Sequence, residues 1–288
     1  MSKATNAFRV GLVQLRSARS VEPNLDAAEA LIRQAAASGA DYILTPENTA
    51  LMELSSKSLF ANTAPEDDNV ALKRLGALGR ELGVWLHIGS TATKLSDEKI
   101  ANRSYLFAPD GALVARYDKI HMFDVDLPGG ETYRESRNYQ PGRTAVVAEL
   151  PWGRLGLTIC YDLRFPTLYR ALAKAGADFI SVPSAFTKQT GEAHWHILLR
   201  ARAIETGCFV FAAAQGGMHE VGRATYGHSM VVSPWGEVIA EAGTEPGVVL
   251  ADVDPSQVQE ARRRIPSLQH DRPFDAAVPS PTRMRAAS

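Results

Sequence analysis

The sequence predicts an α/β fold built as one domain, and three observations carry that prediction. Apolar strand-like runs alternate with segments of helical period along all 288 residues. No linker or break in composition divides the chain, so residues 1–288 read as a single domain. Finally, RVGLVQL…AASGADYILTPE is echoed by RLGLTIC…LAKAGADFISVPS. Each copy is a strand, a helix closed by small residues, then Gly-Ala-Asp and a strand ending in proline. Each reads as a βαβ unit, whose two strands are expected to lie side by side.

Taken in order, FRVGLVQL is a strand and NLDAAEALIRQAAASGA a helix, starting near Asn24 and closing near Gly39. DYILTPE is the next strand, followed by the helix NVALKRLGALGRELG and the strand VWLHIGS. RSYLFAPDGALVARYDK is a hairpin whose turn is Pro109-Asp110-Gly111, and VVAELPWGRLGLTIC is a second hairpin. The helix FPTLYRALAKAGA, the strand DFISVPS, the helix AHWHILLRARAIETG and the strand CFVFAAAQ come next. HSMVVSPWGEVIAEA makes a third hairpin. VDPSQVQEARRRIP is a short helix, and an extended, proline-rich tail is expected from about residue 266.

Composition narrows the function classes. Lys and Arg number 31 against 32 Asp and Glu, with no basic stripe, so nothing calls for nucleic acid or a membrane surface. No run approaches the roughly 18 apolar residues of a membrane span. Two cysteines and no export-type segment point to a reducing cytoplasm without disulfides. Asn102-Arg103-Ser104 fits the glycosylation pattern, but a cytoplasmic chain does not use it.

The residues able to do chemistry stand at strand ends. Glu47 follows YILTP, Lys119 follows ALVARYD and Cys160 follows LGLTI. A carboxylate or an ammonium leaving a buried strand is costly unless paired. Gathered together, the three solve each other's burial: the carboxylate can take the thiol proton and the ammonium can hold a developing oxyanion. Taken singly, Glu47 can cap a helix, Lys119 can snorkel and Cys160 can be packing, and spacing alone leaves both readings open. None of the seven histidines sits in a cysteine-protease context, and the His-Trp-His spacing does not put two metal ligands on one helix face. No glycine-rich phosphate loop is present. Cys208, within ETGCFVFAAA, reads as packing.

LTPENT around Glu47, RYDKIHMFDVDLPG around Lys119 and TICYDLRFP around Cys160 resemble the three signature segments of the nitrilase, or carbon–nitrogen hydrolase, superfamily. The likeness extends through PSAFTKQTGEAHWHILLRARAIET, AAAQ and YGHSMVVSPWGEV, and so covers nearly the whole chain. The resemblance implies a four-layer αββα sandwich, two mixed sheets flanked by helices. It implies a Glu47–Lys119–Cys160 triad, no metal and no organic cofactor, and a homodimer or higher homo-oligomer. It also implies a second glutamate in the loop after the lysine, for which Glu135 is the matching position and Glu131 a neighbour. Tyr161-Asp162 after the cysteine resembles the amidase branch. That branch implies a cysteine thioester route on a small linear amide, and the nearer likeness within it implies an α-keto acid carboxylate on the substrate, with a general short-chain aliphatic amide as the alternative. The backbone N–H of Tyr161 would then help hold the oxyanion, and Arg164 would be the carboxylate's partner. Phe186, Thr187 and His121 are expected to line the pocket. The loop QGGMHEVGRATYG is expected near the site, where it bears on the substrate. A non-catalytic scaffold is the competing class, and the intact triad argues against it.

Overall fold

The computed structural model describes residues 7–128 and 130–275. Strand β1 (Phe8–Gln14) leads through helix α1 (Val21–Ala37) to β2 (Tyr42–Leu44). Helices α2 (Ser56–Ala61) and α3 (Val70–Leu82) follow, then β3 (Trp85–Lys94), β4 (Ile100–Phe107) and β5 (Leu113–Asp118). A small ribbon, β6 (Asp124–Asp126) with β7 (Thr132–Arg134), precedes the hairpin β8 (Val146–Leu150) and β9 (Gly153–Leu157). The second half runs through α4 (Pro166–Lys174), β10 (Phe179–Ser181), α5 (Lys188–Thr206) and β11 (Phe209–Ala212). A second ribbon, β12 (Gly216–Met218) with β13 (Ala224–Tyr226), leads to β14 (Met230–Val232), β15 (Val238–Glu241), β16 (Gly247–Val253) and α6 (Ser256–Arg264).

These strands form two six-stranded mixed sheets, ordered β16-β1-β2-β3-β4-β5 and β15-β14-β11-β10-β9-β8. The pairing sequence is the same in both. β1 lies antiparallel to β16 and parallel to β2, as β9 does to β8 and β10. The echoed sequence makes the same local bonds in each half. Arg9 N–H donates to Asp41 Oδ2 at 2.7 Å, and Arg154 N–H to Asp178 Oδ2 at 3.1 Å. The expected neighbouring strands are found in both units.

The sheets face each other across aromatic packing. Phe8 of the first sheet meets Phe179 at 5.3 Å and Phe211 at 6.3 Å on the second. Each such buried ring contributes roughly 2–3 kcal/mol. Ile32 of α1 and Leu75 of α3 pack with Ile43 and Leu86 of the first sheet. Leu172 of α4 and Leu199 of α5 pack with Leu155, Phe179 and Phe209 of the second, which makes the fold an αββα sandwich.

Three details differ from the sequence reading. Helix α1 starts at Val21, ahead of Asn24, because the Asn24 amide ties the chain outside the helix: it donates to the Ala18 and Ala50 carbonyls and accepts from Ala18 N–H. Helix α5 begins at Lys188, ahead of Ala193, because Thr187 caps its first turn. After α6 the chain does not run straight out. It turns back through Pro266–His270, and Asp271 pairs with Arg170, at 3.1 Å, and with Lys174, both on α4. The rest of the expected tail, residues 276–288, lies outside the described residues. Among the described residues, no helix is long and apolar enough to cross a membrane.

Candidate active site

Glu47, Lys119 and Cys160 leave their strands toward one point between the sheets. The approach depends on Gly89 of β3. A Cβ there would sit 1.9 Å from the Thr45 carbonyl oxygen and 2.5 Å from Pro183 Cβ. Its absence lets the segment carrying Glu47 close against the segment whose Pro183 carbonyl accepts the Cys160 N–H at 2.9 Å.

At the centre is a buried ion cluster. Lys119 is 2 % exposed, and its Nζ donates to Glu47 Oε1 at 2.8 Å and to Glu135 Oε1 and Oε2 at 3.0 and 2.8 Å. Burial acts to lower the pKa of Lys119, and the charges of Glu135, Glu47 and Cys160 outweigh it, so the ammonium is held well above the ordinary lysine range. Burial acts to raise Glu47, but the Lys119 charge and hydrogen bond carry it below the ordinary carboxyl range. Cys160 is pushed far up, by burial first and by the Glu47 charge next. At neutral pH the cluster therefore holds a carboxylate, an ammonium and a neutral thiol. Glu47 Oε2 accepts the Ala185 N–H at 2.9 Å, which fixes that carboxylate.

Glu135 follows β7, and its Oε2 also accepts the Phe123 N–H at 2.6 Å. Glu131 is exposed and bonds the Tyr133 hydroxyl at 3.1 Å. Of the two glutamates, Glu135 is the one beside Lys119.

Cys160 opens a single 3₁₀ turn, Cys160–Arg164, with φ of +48°. For a residue with a Cβ that conformation costs of order 1–2 kcal/mol. Asp162, fully buried, holds it: its Oδ2 accepts from Ile159 N–H at 2.9 Å and from the Tyr117 hydroxyl at 2.6 Å. Its Oδ1 accepts the N–H of His121 at 3.0 Å and the ring Nδ1 at 2.7 Å. His121 also stacks on Phe165, with ring centroids 3.6 Å apart. The expectation that His121 lines the pocket is corrected. It is not among the residues that line the cavity; its ring is held by Asp162 and Phe165, and it supports the cysteine turn.

A cavity of about 230 Å³ opens over Cys160. Tyr161, Arg164, Phe186 and Thr187 all line it. Arg164 lies over Phe186, 5.3 Å from the ring centre, and meets His194 Nδ1 at 3.3 Å.

Two residues near the reacting atoms escape sequence reasoning. Asn102, in the middle of β4 and 2 % exposed, donates from Nδ2 to both Glu47 Oε1 (2.9 Å) and Glu135 Oε1 (3.1 Å). Arg223, from the loop flagged by sequence, lines the cavity, and its charge helps depress Glu47. Cys208 is buried with its thiol on the Ala177 carbonyl at 3.2 Å, in keeping with packing. His196 of the His-Trp-His run meets His228 over Glu241. Both rings bond Oε1 of that carboxylate, at 2.8 and 2.7 Å.

Comparison with known proteins places the chain among well-matched relatives. The carbon–nitrogen hydrolase family pattern matches residues 9–263. The chain is 44 % identical over 273 residues to deaminated glutathione amidase of Yersinia enterocolitica, covering 94 % of this chain and 95 % of that one. It is 35 % identical to the omega-amidase of Homo sapiens, covering 92 % and 95 %. Among solved structures it superposes with a TM-score of 0.76, at 29 % identity, on a mutant amidase from Nesterenkonia sp. AN1, over 90 % of this chain and 98 % of that one. That structure shows Michael addition of acrylamide at the active site cysteine. With its signature segments, twin mixed sheets and full-length relatives in agreement, the chain belongs to the carbon–nitrogen hydrolase family.

Proposed function

We propose that the chain is an amidase that cleaves deaminated glutathione to 2-oxoglutarate and cysteinylglycine through a thioester on Cys160. The observation that carries the reading is the Glu47–Lys119–Glu135 cluster, with a neutral thiol beside it on the floor of the cavity. Glu47 takes the thiol proton as sulfur attacks the amide carbonyl. Lys119 and the Tyr161 N–H hold the oxyanion, and Glu135 holds Lys119 in place. Glu47 then gives the proton to the departing nitrogen, and water, activated by the same carboxylate, hydrolyses the thioester. Every proton and leaving group is accounted for by residues on the chain. The 44 % relative and a cavity walled partly by arginines support the substrate, which bears a carboxylate at each end. Arg164 is positioned for one of them.

In the proposed assembly at least two chains associate. Ile197 and Ile204 on α5 are 70 % and 55 % exposed, and the Trp235–Gly236 loop lies against Ile204, an apolar face suited to a second copy. We place its work in the cytoplasm, where Cys160 stays reduced.

The test is to assay deaminated glutathione beside 2-oxoglutaramate. We expect kcat/KM to be at least about tenfold higher for the former. Equal rates, or the reverse order, would overturn the substrate assignment in favour of an omega-amidase.

The pH profile tests the base. Protonation of Glu47 removes the acceptor for the thiol proton, so activity is lost as pH falls through its depressed pKa. The expected kcat/KM is flat from about pH 5 to 8 and drops only below the usual glutamate value of about 4.3. An acid limb centred near neutrality would assign the base to another group.

A further inference from the structure

Arg223 is a guanidinium at the edge of a buried ion cluster. Among the described residues it forms no ion pair. Its one side-chain hydrogen bond runs from Nη2 to the Ala185 carbonyl, and Nε is enclosed with no acceptor. The side chain lies over Tyr133, 5.0 Å from the ring centre, on the wall of the cavity that opens over Cys160. A half-buried cation with a donor that no protein group answers is suited to pairing with an anion.

The position is as telling as the missing partner. Ala185 accepts from Arg223 through its carbonyl and donates through its N–H to Glu47 Oε2. The guanidinium is thus tied by a single residue to the catalytic base. Arg164 is held differently: it lies over Phe186 and Tyr161 and shares a contact with His194. In an amide of a five-carbon α-keto diacid the free carboxylate is only four bonds from the reacting carbonyl. A cation next to the base matches that short reach.

We propose that Arg223 is the principal anchor for the α-keto acid carboxylate on the acyl side of the substrate, and so a specificity-determining residue. The inference deepens the proposed amidase function and rests on it. Arg164 is then left for the second carboxylate, on the leaving-group side.

The test compares 2-oxoglutaramate with 4-oxopentanamide, in which a methyl group replaces the carboxylate. The readout is the ratio of their kcat/KM values in the wild type, Arg223→Gln, Arg223→Lys and Arg164→Gln. We expect Arg223→Gln to lower the ratio by about 30-fold or more, the size of a lost hydrogen bond to a charged group. Arg223→Lys, which keeps the charge but not the fork, should recover part of it. A structural role, or loss of positive charge beside Glu47, slows both amides alike and leaves the ratio unmoved, and that result would overturn the proposal. So would a collapse of the ratio in Arg164→Gln alone. Should Arg223→Gln not fold, the ratio in Arg223→Lys decides, with an unchanged ratio counting against. A wild type that shows no preference for the anionic amide removes the α-keto acid reading itself. A wild-type preference that survives in both Arg223 variants removes only the role of Arg223.

Discussion

Cys160→Ala is expected to reduce amide turnover by about 10⁵-fold or more, to the limit of detection, since the proposed route passes through an acyl group on its sulfur. The loss should come with little change in fold. The thiol makes no bond that holds the turn together, because Asp162 does so through Ile159, Tyr117 and His121. The melting temperature should stay within about 3 °C of wild type. A second substitution separates chemistry from strain. With φ at +48°, position 160 penalises any side chain, so Cys160→Gly should be equally inactive yet more stable than Cys160→Ala by about 0.5–1 kcal/mol. Amide hydrolysis by Cys160→Ala within a hundredfold of wild type would place the nucleophile elsewhere.

Lys119→Met should damage both activity and stability. The ammonium bonds both Glu47 and Glu135. Its removal leaves two buried carboxylates facing each other with Asn102 between them. Breaking a buried pair in this way costs about 3–5 kcal/mol. Loss of the oxyanion partner should lower kcat by about 10³-fold. The pH dependence identifies the cause. In the wild type the depressed Glu47 contributes stability above its unfolded pKa, which is lost as pH falls through the folded one. In the variant one carboxyl of the pair has a raised folded pKa, so the native state takes up a proton and gains stability as pH falls. The stability gap to wild type should therefore narrow from about pH 8 to about pH 5 in urea unfolding. A gap that stays constant with pH would mean that the loss is one of packing rather than charge.

How much of this the sequence discloses depends on how local each signal is. Glu47, Lys119 and Cys160 stand out because each comes at the end of a strand-like run, where a charge or thiol needs a reason, but only the family resemblance singles them out as a triad. The βαβ units can be read because their helices and strands have distinct periods. Glu135 is available only through family resemblance, since nothing local separates it from Glu131. Asn102 is hidden because its partners Glu47 and Glu135 lie 55 and 33 residues away. The three consecutive polar residues Asn102-Arg103-Ser104 in an otherwise largely apolar strand do not single it out. Asp162 is as remote from Tyr117 and His121, and Arg223 acquires meaning only when its loop folds over the cavity. The start of α1 and the turned-back tail are missed for a similar reason. Asn24 and Asp271 act through bonds to other segments, and propensity does not register those.

The closure at Gly89 has a mechanical consequence. Glu47 and Lys119 ride on one sheet and Cys160 on the other, so a slide between the sheets changes the gap that the proposed proton transfer crosses. Secondary structure would survive a displacement of that size and far-ultraviolet circular dichroism would not report it, because neither sheet needs to lose a hydrogen bond. Turnover would. The enzyme's own rate is thus a finer gauge of how the two halves are seated than any measure of helix and strand content.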